Sequence, residues 1–228
     1  MARNTIEKKY LNRYTSLPFL FDTLYNKRLT LVDPARWEDE NDAYFMKLYK
    51  TKSGHRSVLA LCFAEYQRST TEKYHNWKIY AGSSSGVCIQ FFRDRLISCI
   101  GPVLGISYKS VTYKTISRFD SDWHKISWHQ LPFIKRKAFD GETEFRIIYE
   151  SDSSEELDAK RIPIELSSIS RIILNPWIPQ PVYDAVCSAI NSIEGCDNLH
   201  ITQTNILNYA KWKKAGENIA KLNGDTIK

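Results

Sequence analysis

The chain has 228 residues, 43% of them hydrophobic and 25% charged, which is typical of a globular protein and excludes a fibrous or wholly disordered chain. Its 13 Tyr, 10 Phe and 6 Trp supply apolar surface for a substantial core, and no apolar run approaches the ~20 residues that a membrane span needs. The first residues contain no apolar stretch typical of a secretory signal, so we expect a cytoplasmic protein. The length suits a single domain over 1–228.

The formal charge of +6 is unevenly distributed along the chain. Residues 1–114 carry 18 Lys and Arg against 10 Asp and Glu, whereas residues 115–228 carry 14 against 16. A basic half attracts the phosphates of nucleic acid or of a nucleotide. Because the basic residues are dispersed, an ordinary solvated surface is the alternative interpretation. The five cysteines form no Cys-x-x-Cys pair, which predicts reduced thiols and no structural zinc site.

The hydrophobic pattern predicts helices and strands in mixed order. In the first half we expect a strand over 9–15, a helix beginning at Pro18, a strand over 28–32, a helix within 37–52, a buried strand over 57–63, a helix over 71–81, a flexible turn over 82–86, a strand over 87–92 and a helix over 94–100. In the second half we expect a strand pair over 103–113, a helix over 125–139, strands over 142–150, 162–165 and 169–174, an acidic surface excursion over 151–158, a helix after Pro181, a strand over 199–202 and a closing polar helix within 206–228.

This order predicts the fold class. Helices and strands do not alternate strictly, and the chain contains no Gly-x-Gly-x-x-Gly sequence. We therefore predict an α+β protein with mixed, mostly antiparallel sheets and flanking helices.

The stretch from Gly141 to Ile148 is the most informative for chemistry. On a strand, alternation places Glu142, Glu144 and Arg146 on one face. Two neighbouring carboxylates can stabilise the cation that develops when a glycosidic bond breaks, or accept a proton. The alternative is a charged outer strand face on which Arg146 pairs with Glu144.

Arg13 is the second candidate, because it lies between two tyrosines on the first predicted strand. Its forked guanidinium suits a phosphate or a ribose. The alternative is a salt bridge at the edge of the sheet.

The third candidate is the stretch from Asn76 to Val87. Trp77 and Tyr80 are three residues apart on the predicted helix, a spacing that suits stacking on a planar heterocycle. The backbone of the following turn, with Ser84 at its centre, could approach a phosphate closely. Core aromatics and an unremarkable turn are the alternative.

A metal site is not expected. Asp120, Asp122, His124 and His129 lie within ten residues, but the two histidines are five apart and would not share a helix face. A metal-dependent nuclease that uses this acidic segment therefore stays a minor alternative.

Taken together, these stretches resemble a bacterial family known as domain of unknown function 2971. The matching features are a Tyr-Arg strand, an Asn-Asp loop, a Cys-Phe strand, a Trp-x-x-Tyr-Ala block leading to Gly-Val-Cys-Ile-x-Phe, a Glu-x-Glu-x-Arg strand and an Ile-rich segment, here within 8–205. The chain departs from the family pattern in the loop over 38–43 and in Asp140-Gly141, where the family usually has a Trp.

The order of these elements also resembles that of ADP-ribosyltransferases, which implies a split sheet and NAD as substrate. The resemblance implies that Arg13 holds NAD, that Tyr80 or Ser84 supports the nicotinamide ribose, that Glu144 bonds the ribose 2′-OH and that Glu142 orients the acceptor. An NAD-dependent ADP-ribosyltransferase or NAD glycohydrolase, of a bacterial toxin or phage-defence type, is therefore expected. A binding module without catalysis, for nucleic acid or a protein partner, is the alternative.

Overall fold

Eleven strands and seven α-helices make up the part of the chain that the computed structural model describes, which is residues 9–66, 68, 72–151 and 156–222. The strands are β1 Tyr10–Ser16, β2 Arg28–Val32, β3 Ser57–Tyr66, β4 Gly86–Phe92, β5 Ile106–Ser110, β6 Thr112–Lys114, β7 Ile134–Arg136, β8 Glu144–Ser151, β9 Ala159–Pro163, β10 Ile169–Leu174 and β11 Ile201–Gln203. The helices are α1 Leu17–Asn26, α2 Glu40–Ser53, α3 Tyr74–Tyr80, α4 Arg93–Ile100, α5 Ile116–Asp122, α6 Gln180–Asn191 and α7 Ala210–Leu222.

Nine of these strands form one sheet with the order β11-β10-β4-β1-β3-β2-β9, and β8 and β5 extend it from β3. Within this sheet only β10 and β11 are parallel, and the separate pair of β6 and β7 is parallel as well. With helices flanking the sheet, the predicted α+β class with a mostly antiparallel sheet is confirmed.

The sheet forks between β1 and β3. These two strands are paired only from Tyr10–Tyr66 to Asn12–Ala64. Beyond Asn12, β1 pairs only with β4, as far as Ser16, whereas β3 pairs with β2 at Val32–Ala60. The diverging strands leave a cleft in the sheet, and a ligand that enters it meets the backbone edge of β1.

β3 lies at the centre of the molecule because both of its faces are apolar. Leu59, Leu61 and Phe63 join the main core, where Leu20 and Leu24 of α1 are fully buried. On the other face, Val58 and Ala60 pack against Met46 and Tyr49 of α2. Burial of such side chains stabilises a fold by about 1.5–3 kcal/mol each. The predicted buried strand is confirmed and extends to Tyr66.

The predicted helix over 125–139 is wrong. This segment contains the 3-10 helix Trp128–Phe133, the strand β7 and a second 3-10 helix, Lys137–Glu142. Pro132 lies inside the first of these, and a proline removes the N–H that a continuing α-helix requires. Ile134 then pairs with Thr112 of β6, so the chain enters a strand.

The predicted strand pair over 103–113 is half right. Two strands are present, but β5 pairs with β8 and β6 pairs with β7, so they do not pair with each other. The remaining predicted elements are found with ends shifted by a few residues, and the excursion over 151–158 lies partly outside the described residues. No helix among the described residues has the length and apolarity needed to cross a membrane.

Candidate active site

A cleft of about 530 Å³ opens where the sheet forks. Its walls come from β1, β3 and α3, from the loop before α2, and from the segment that leads into β8. Four of the six residues predicted from the sequence line it: Arg13, Tyr80, Glu142 and Glu144. The fold therefore brings together residues that are separated by more than a hundred positions in the chain.

Glu144, the first residue of β8, is only 6% exposed and is held by a buried arginine. Nε and Nη2 of Arg146 both lie 2.7 Å from Glu144 Oε1. The same guanidinium donates to Asp42 of α2 through two bonds of 2.9 and 2.6 Å, and to the carbonyl of Pro132. It also stacks 4.6 Å from the ring centre of Trp37. Glu144 is therefore fixed in position.

The surroundings keep Glu144 ionised. Burial alone would raise the pKa of Glu144, but Arg146 and Lys135 outweigh it and hold the pKa below its ordinary value. Burial and the neighbouring Glu144 raise the pKa of the Cys62 thiol well above its usual range, so Cys62 lines the cleft as a neutral thiol. At neutral pH the cleft thus presents a buried carboxylate that can stabilise positive charge.

Glu142 lines the same cleft, but it does not lie on the strand on which it was predicted. It ends the 3-10 helix Lys137–Glu142, and Thr143 with a φ of 49° turns the chain before β8 begins. The predicted strand over 142–150 therefore starts two residues later, and its alternation does not set the direction of Glu142. Side chains do so instead, because Tyr80 Oη donates to Glu142 Oε1 and Lys135 Nζ donates to Oε2, each at 2.7 Å.

Arg13 presents a half-buried guanidinium without a partner. Its backbone pairs with Ile89 of β4, but its guanidinium makes no hydrogen bond or ion pair with any residue in the described part of the chain. Burial lowers its pKa to about 10, and the carboxylate of Asp22 offsets only part of this effect. A half-buried guanidinium that has no ion-pair partner and lines the cleft is a ready site for an anion that enters it.

Two predicted residues do not reach the cleft. Trp77 is fully buried, packs edge-to-face on Tyr14 at 5.1 Å and donates from its indole to Glu72, so no face of the ring is free for stacking. Ser84 is not among the residues that line the cleft. A Cβ at Gly86, which ends the same turn, would lie 2.0 Å from the carbonyl oxygen of Ala81, so this glycine serves close backbone packing.

Among the cleft residues that sequence reasoning missed are Trp37, Asp42, Lys135 and Phe139. Asp42 belongs to the Asn-Asp stretch that the family resemblance includes as a loop and that the structure forms as the first turn of α2, so the family pattern contained the signal without assigning a role. Lys135 lies in a basic run that was predicted to be helical, and nothing in that pattern indicated that its ammonium is buried.

A second cavity, of about 540 Å³, adjoins the cleft and shares Asp39, Asp42 and Lys135 with it. Its other walls come from α2, α5, β6 and β7. Phe45 and Phe119 stack in this region with ring centres 5.7 Å apart. The cavity therefore offers an apolar surface next to the carboxylates of the cleft.

The acidic segment proposed as a metal site is largely exposed. Asp122 pairs with Lys125 at 2.9 Å, and the pKa of Asp122 is lowered by this partner. Among the described residues, no three His, Cys, Asp or Glu side chains are grouped as metal ligands would be.

Several solved structures are similar to this one. DarT from Thermus sp. 2.9 in complex with carba-NAD+ aligns with a TM-score of 0.44 and 10% identity, over 89% of this chain and 99% of that chain. Its complex with NAD+ gives 0.44 and 9%, over 89% and 98%. Its complex with ADP-ribosylated ssDNA gives 0.46 and 12%, over 92% and 100%.

No protein-family model matches the chain, and no curated protein matches its sequence. Membership of the domain of unknown function 2971 family therefore stays a prediction.

Proposed function

We propose that this protein cleaves the nicotinamide–ribose bond of NAD+ and transfers the ADP-ribosyl group, as an ADP-ribosyltransferase or NAD glycohydrolase. One observation carries the proposal: an unpaired guanidinium, Arg13, and two carboxylates, Glu142 and Glu144, line a single cleft. A ligand that suits both would place an anionic part at Arg13 and a part that carries or develops positive charge at the carboxylates. NAD+ has this pattern, since its pyrophosphate is negative and its nicotinamide ring is positive at the bond that breaks.

The residues of the cleft can carry out each step of this reaction. The C–N bond between ribose and nicotinamide breaks, its electron pair stays on nicotinamide, and nicotinamide leaves as a neutral molecule. Glu144, ionised and rigidly held, stabilises the positive charge that develops on the ribose. The acceptor forms the new bond to the anomeric carbon, and Glu142 takes the acceptor's proton and later releases it to water.

Both oxygens of Glu142 already accept one hydrogen bond each, from Tyr80 and from Lys135. A carboxylate oxygen has two acceptor sites, so a lone pair is left for the acceptor's proton. Trp37 and Phe139 line the cleft and offer ring surfaces for nicotinamide or adenine, the role first predicted for Trp77.

The second cavity supports a nucleic-acid acceptor. Lys114 and Arg136 are register partners on β6 and β7, and both line this cavity. Neither side chain makes a hydrogen bond or a salt bridge with a described residue. Two adjacent cations destabilise each other unless an anion bridges them. Exposed Tyr44 and the Phe45–Phe119 stack add the ring surfaces on which bases stack.

Such an activity suits a bacterial toxin or a phage-defence effector, because consumption of NAD+ or modification of nucleic acid would arrest the cell. The alternative, a binding module without catalysis, would use the same basic and aromatic surface. It predicts nucleic-acid binding that weakens steeply with salt and no release of nicotinamide.

The test begins with calorimetric titration of the protein with NAD+ and chromatographic measurement of nicotinamide release. We expect saturable binding that Arg13→Ala abolishes, and release that Glu142→Gln slows by about 100-fold or more while binding persists. Arg161→Ala, an exposed arginine on β9, is the matched control. Absence of binding at millimolar NAD+, or unchanged release in the double variant Arg13→Ala with Glu144→Gln, would contradict the proposal.

The acceptor is tested separately with labelled NAD+ and single-stranded DNA, RNA and protein. Charge reversal at Lys114 and Arg136 should abolish labelling of nucleic acid and leave nicotinamide release into water unchanged. Labelling of protein alone, or labelling that the reversal does not affect, would refute the acceptor assignment and leave the NAD+ site standing.

A further inference from the structure

Lys135 lies among four carboxylates. Its Nζ is 2.7 Å from Glu142 Oε2, 3.5 Å from both Glu144 Oε2 and Asp42 Oδ2, and 4.0 Å from Asp39 Oδ2. The side chain is 9% exposed. One ammonium therefore contacts carboxylates from α2, from the segment before β8, and from β8 itself.

The four carboxylates do not depend on Lys135 equally. Glu144 and Asp42 are both bonded to Arg146, which holds them whether or not Lys135 is present. Glu142 differs, because the only hydrogen-bond partners of its carboxylate in the described part of the chain are Tyr80 and Lys135. Glu142 also precedes the first residue of β8, so the backbone hydrogen bonds of the sheet do not fix its position.

Lys135 itself is held from outside the main sheet. It is the central residue of β7, which pairs with β6, and its Cα is registered with that of Tyr113. Tyr113 in turn accepts the backbone N–H of Glu144 on its hydroxyl at 2.8 Å. The two-stranded sheet thus anchors both the ammonium and the start of β8.

The charge on Lys135 is secure. Burial would lower its pKa, but the carboxylates of Glu144, Glu142 and Asp42 outweigh burial and raise the pKa above its ordinary value. The ammonium of Lys135 is therefore charged at neutral pH.

We propose that Lys135 is a positioning residue that holds Glu142 beside Glu144 in the arrangement needed for ADP-ribosyl transfer. This inference rests on the proposed function. Lys135 does not react and need not touch the substrate; it fixes the group that accepts the proton and neutralises part of the charge that four carboxylates would otherwise concentrate in one place.

The experiment compares Lys135→Met and Lys135→Arg with the wild type by nicotinamide release across pH. We expect Lys135→Met to lower kcat by about 10-fold or more, with KM for NAD+ changed by less than about threefold. Lys135→Arg, which keeps the charge, should recover most of the lost kcat. A residue that served stability alone would not produce this division between kcat and KM.

The pH profile is the second readout. The groups that face Lys135 are Asp39, which caps α2, Asp42 of α2, Glu142, and Glu144 of β8, with Tyr80 and Tyr113 beyond them. Loss of Lys135 removes one of the two cations that lower the pKa of Glu144. We therefore expect the acid limb of kcat to move to higher pH in Lys135→Met and to stay in place in Lys135→Arg.

Lys137→Met is the matched control, because Lys137 follows two residues later and, among the described residues, forms a salt bridge with exposed Asp140 alone. Thermal melting is recorded for every variant, and if Lys135→Met does not fold, Lys135→Gln replaces it, since the amide keeps a donor and removes the charge. A folded variant that retains the kcat and pH profile of an active wild type would overturn this inference alone. A wild type that releases no nicotinamide would overturn the proposed function as well.

Discussion

The hydroxyl of Tyr80 donates a 2.7 Å hydrogen bond to the carboxylate of Glu142, 62 residues further along the chain. This bond links helix α3 to the segment that precedes β8. It also joins two patterns that the sequence presents separately, the Trp-x-x-Tyr block and the Glu-x-Glu pair. The hydroxyl is a committed donor, since partial burial of the side chain and its bond to Glu142 together raise the pKa of Tyr80 well above its ordinary value.

Removal of this hydroxyl should impair catalysis without unfolding the protein. Tyr80 is 44% exposed, so Tyr80→Phe loses little packing, but Glu142 would keep only Lys135 to orient it. A hydrogen bond to a charged group is worth ~1.5–3 kcal/mol, so we expect nicotinamide release to slow by about 10-fold or more. Melting temperature and NAD+ affinity serve as the controls; an unchanged rate would remove Tyr80 from the site.

Asp42 should be critical for stability. It is 4% exposed and forms the two-bond pair with Arg146, which is fully buried. Removing one partner of a buried pair costs about 3–5 kcal/mol, so we expect Asp42→Asn to lower Tm by about 10 °C. Asp140→Asn, which breaks an exposed pair with Lys137, is the control and should leave Tm nearly unchanged. Equal melting of both variants would contradict this account.

Stability should depend on pH through Glu144. Its pKa is lower in the folded protein than its ordinary value, because Arg146 and Lys135 outweigh the burial that raises it. Such a carboxyl stabilises the fold fully above its unfolded pKa of about 4.3, and this contribution is lost as pH falls through the folded pKa. In urea unfolding, the gap between wild type and Glu144→Gln should therefore be widest at neutral pH and narrow below about pH 4. A gap that does not vary with pH would exclude this linkage.

Arg13 should be needed for binding yet costly to the fold. Since no described residue pairs with its guanidinium, Arg13→Met removes a half-buried charge that has no partner and should raise Tm or leave it unchanged. The same variant should lose NAD+ binding by calorimetry, and pyrophosphate should stabilise the wild type but not Arg13→Met. A variant that melts much lower than wild type would show that Arg13 has a structural role instead.

Local patterns in the sequence were sufficient for most elements and for the residue types of the site. The run of apolar residues in β3, and the helical spacing of Leu20 and Leu24 in α1, predict those elements because each buries its own face. Arg13, Tyr80, Glu142 and Glu144 were each singled out by residue type and neighbours. The segment 125–139 was misassigned because its strand, β7, is three residues long and is stabilised by β6 from a distant part of the chain.

The arrangement of the site was decided by tertiary structure alone. Whether Trp77 is buried or free to stack depends on what packs over α3, and its own spacing on the helix does not specify this. The direction of Glu142 follows from Tyr80 and Lys135, which arrive from two other elements. A sequence pattern indicates which face of a helix or strand is apolar. It does not indicate which charged side chains of different elements come into contact after folding. In this protein such contacts form the cleft.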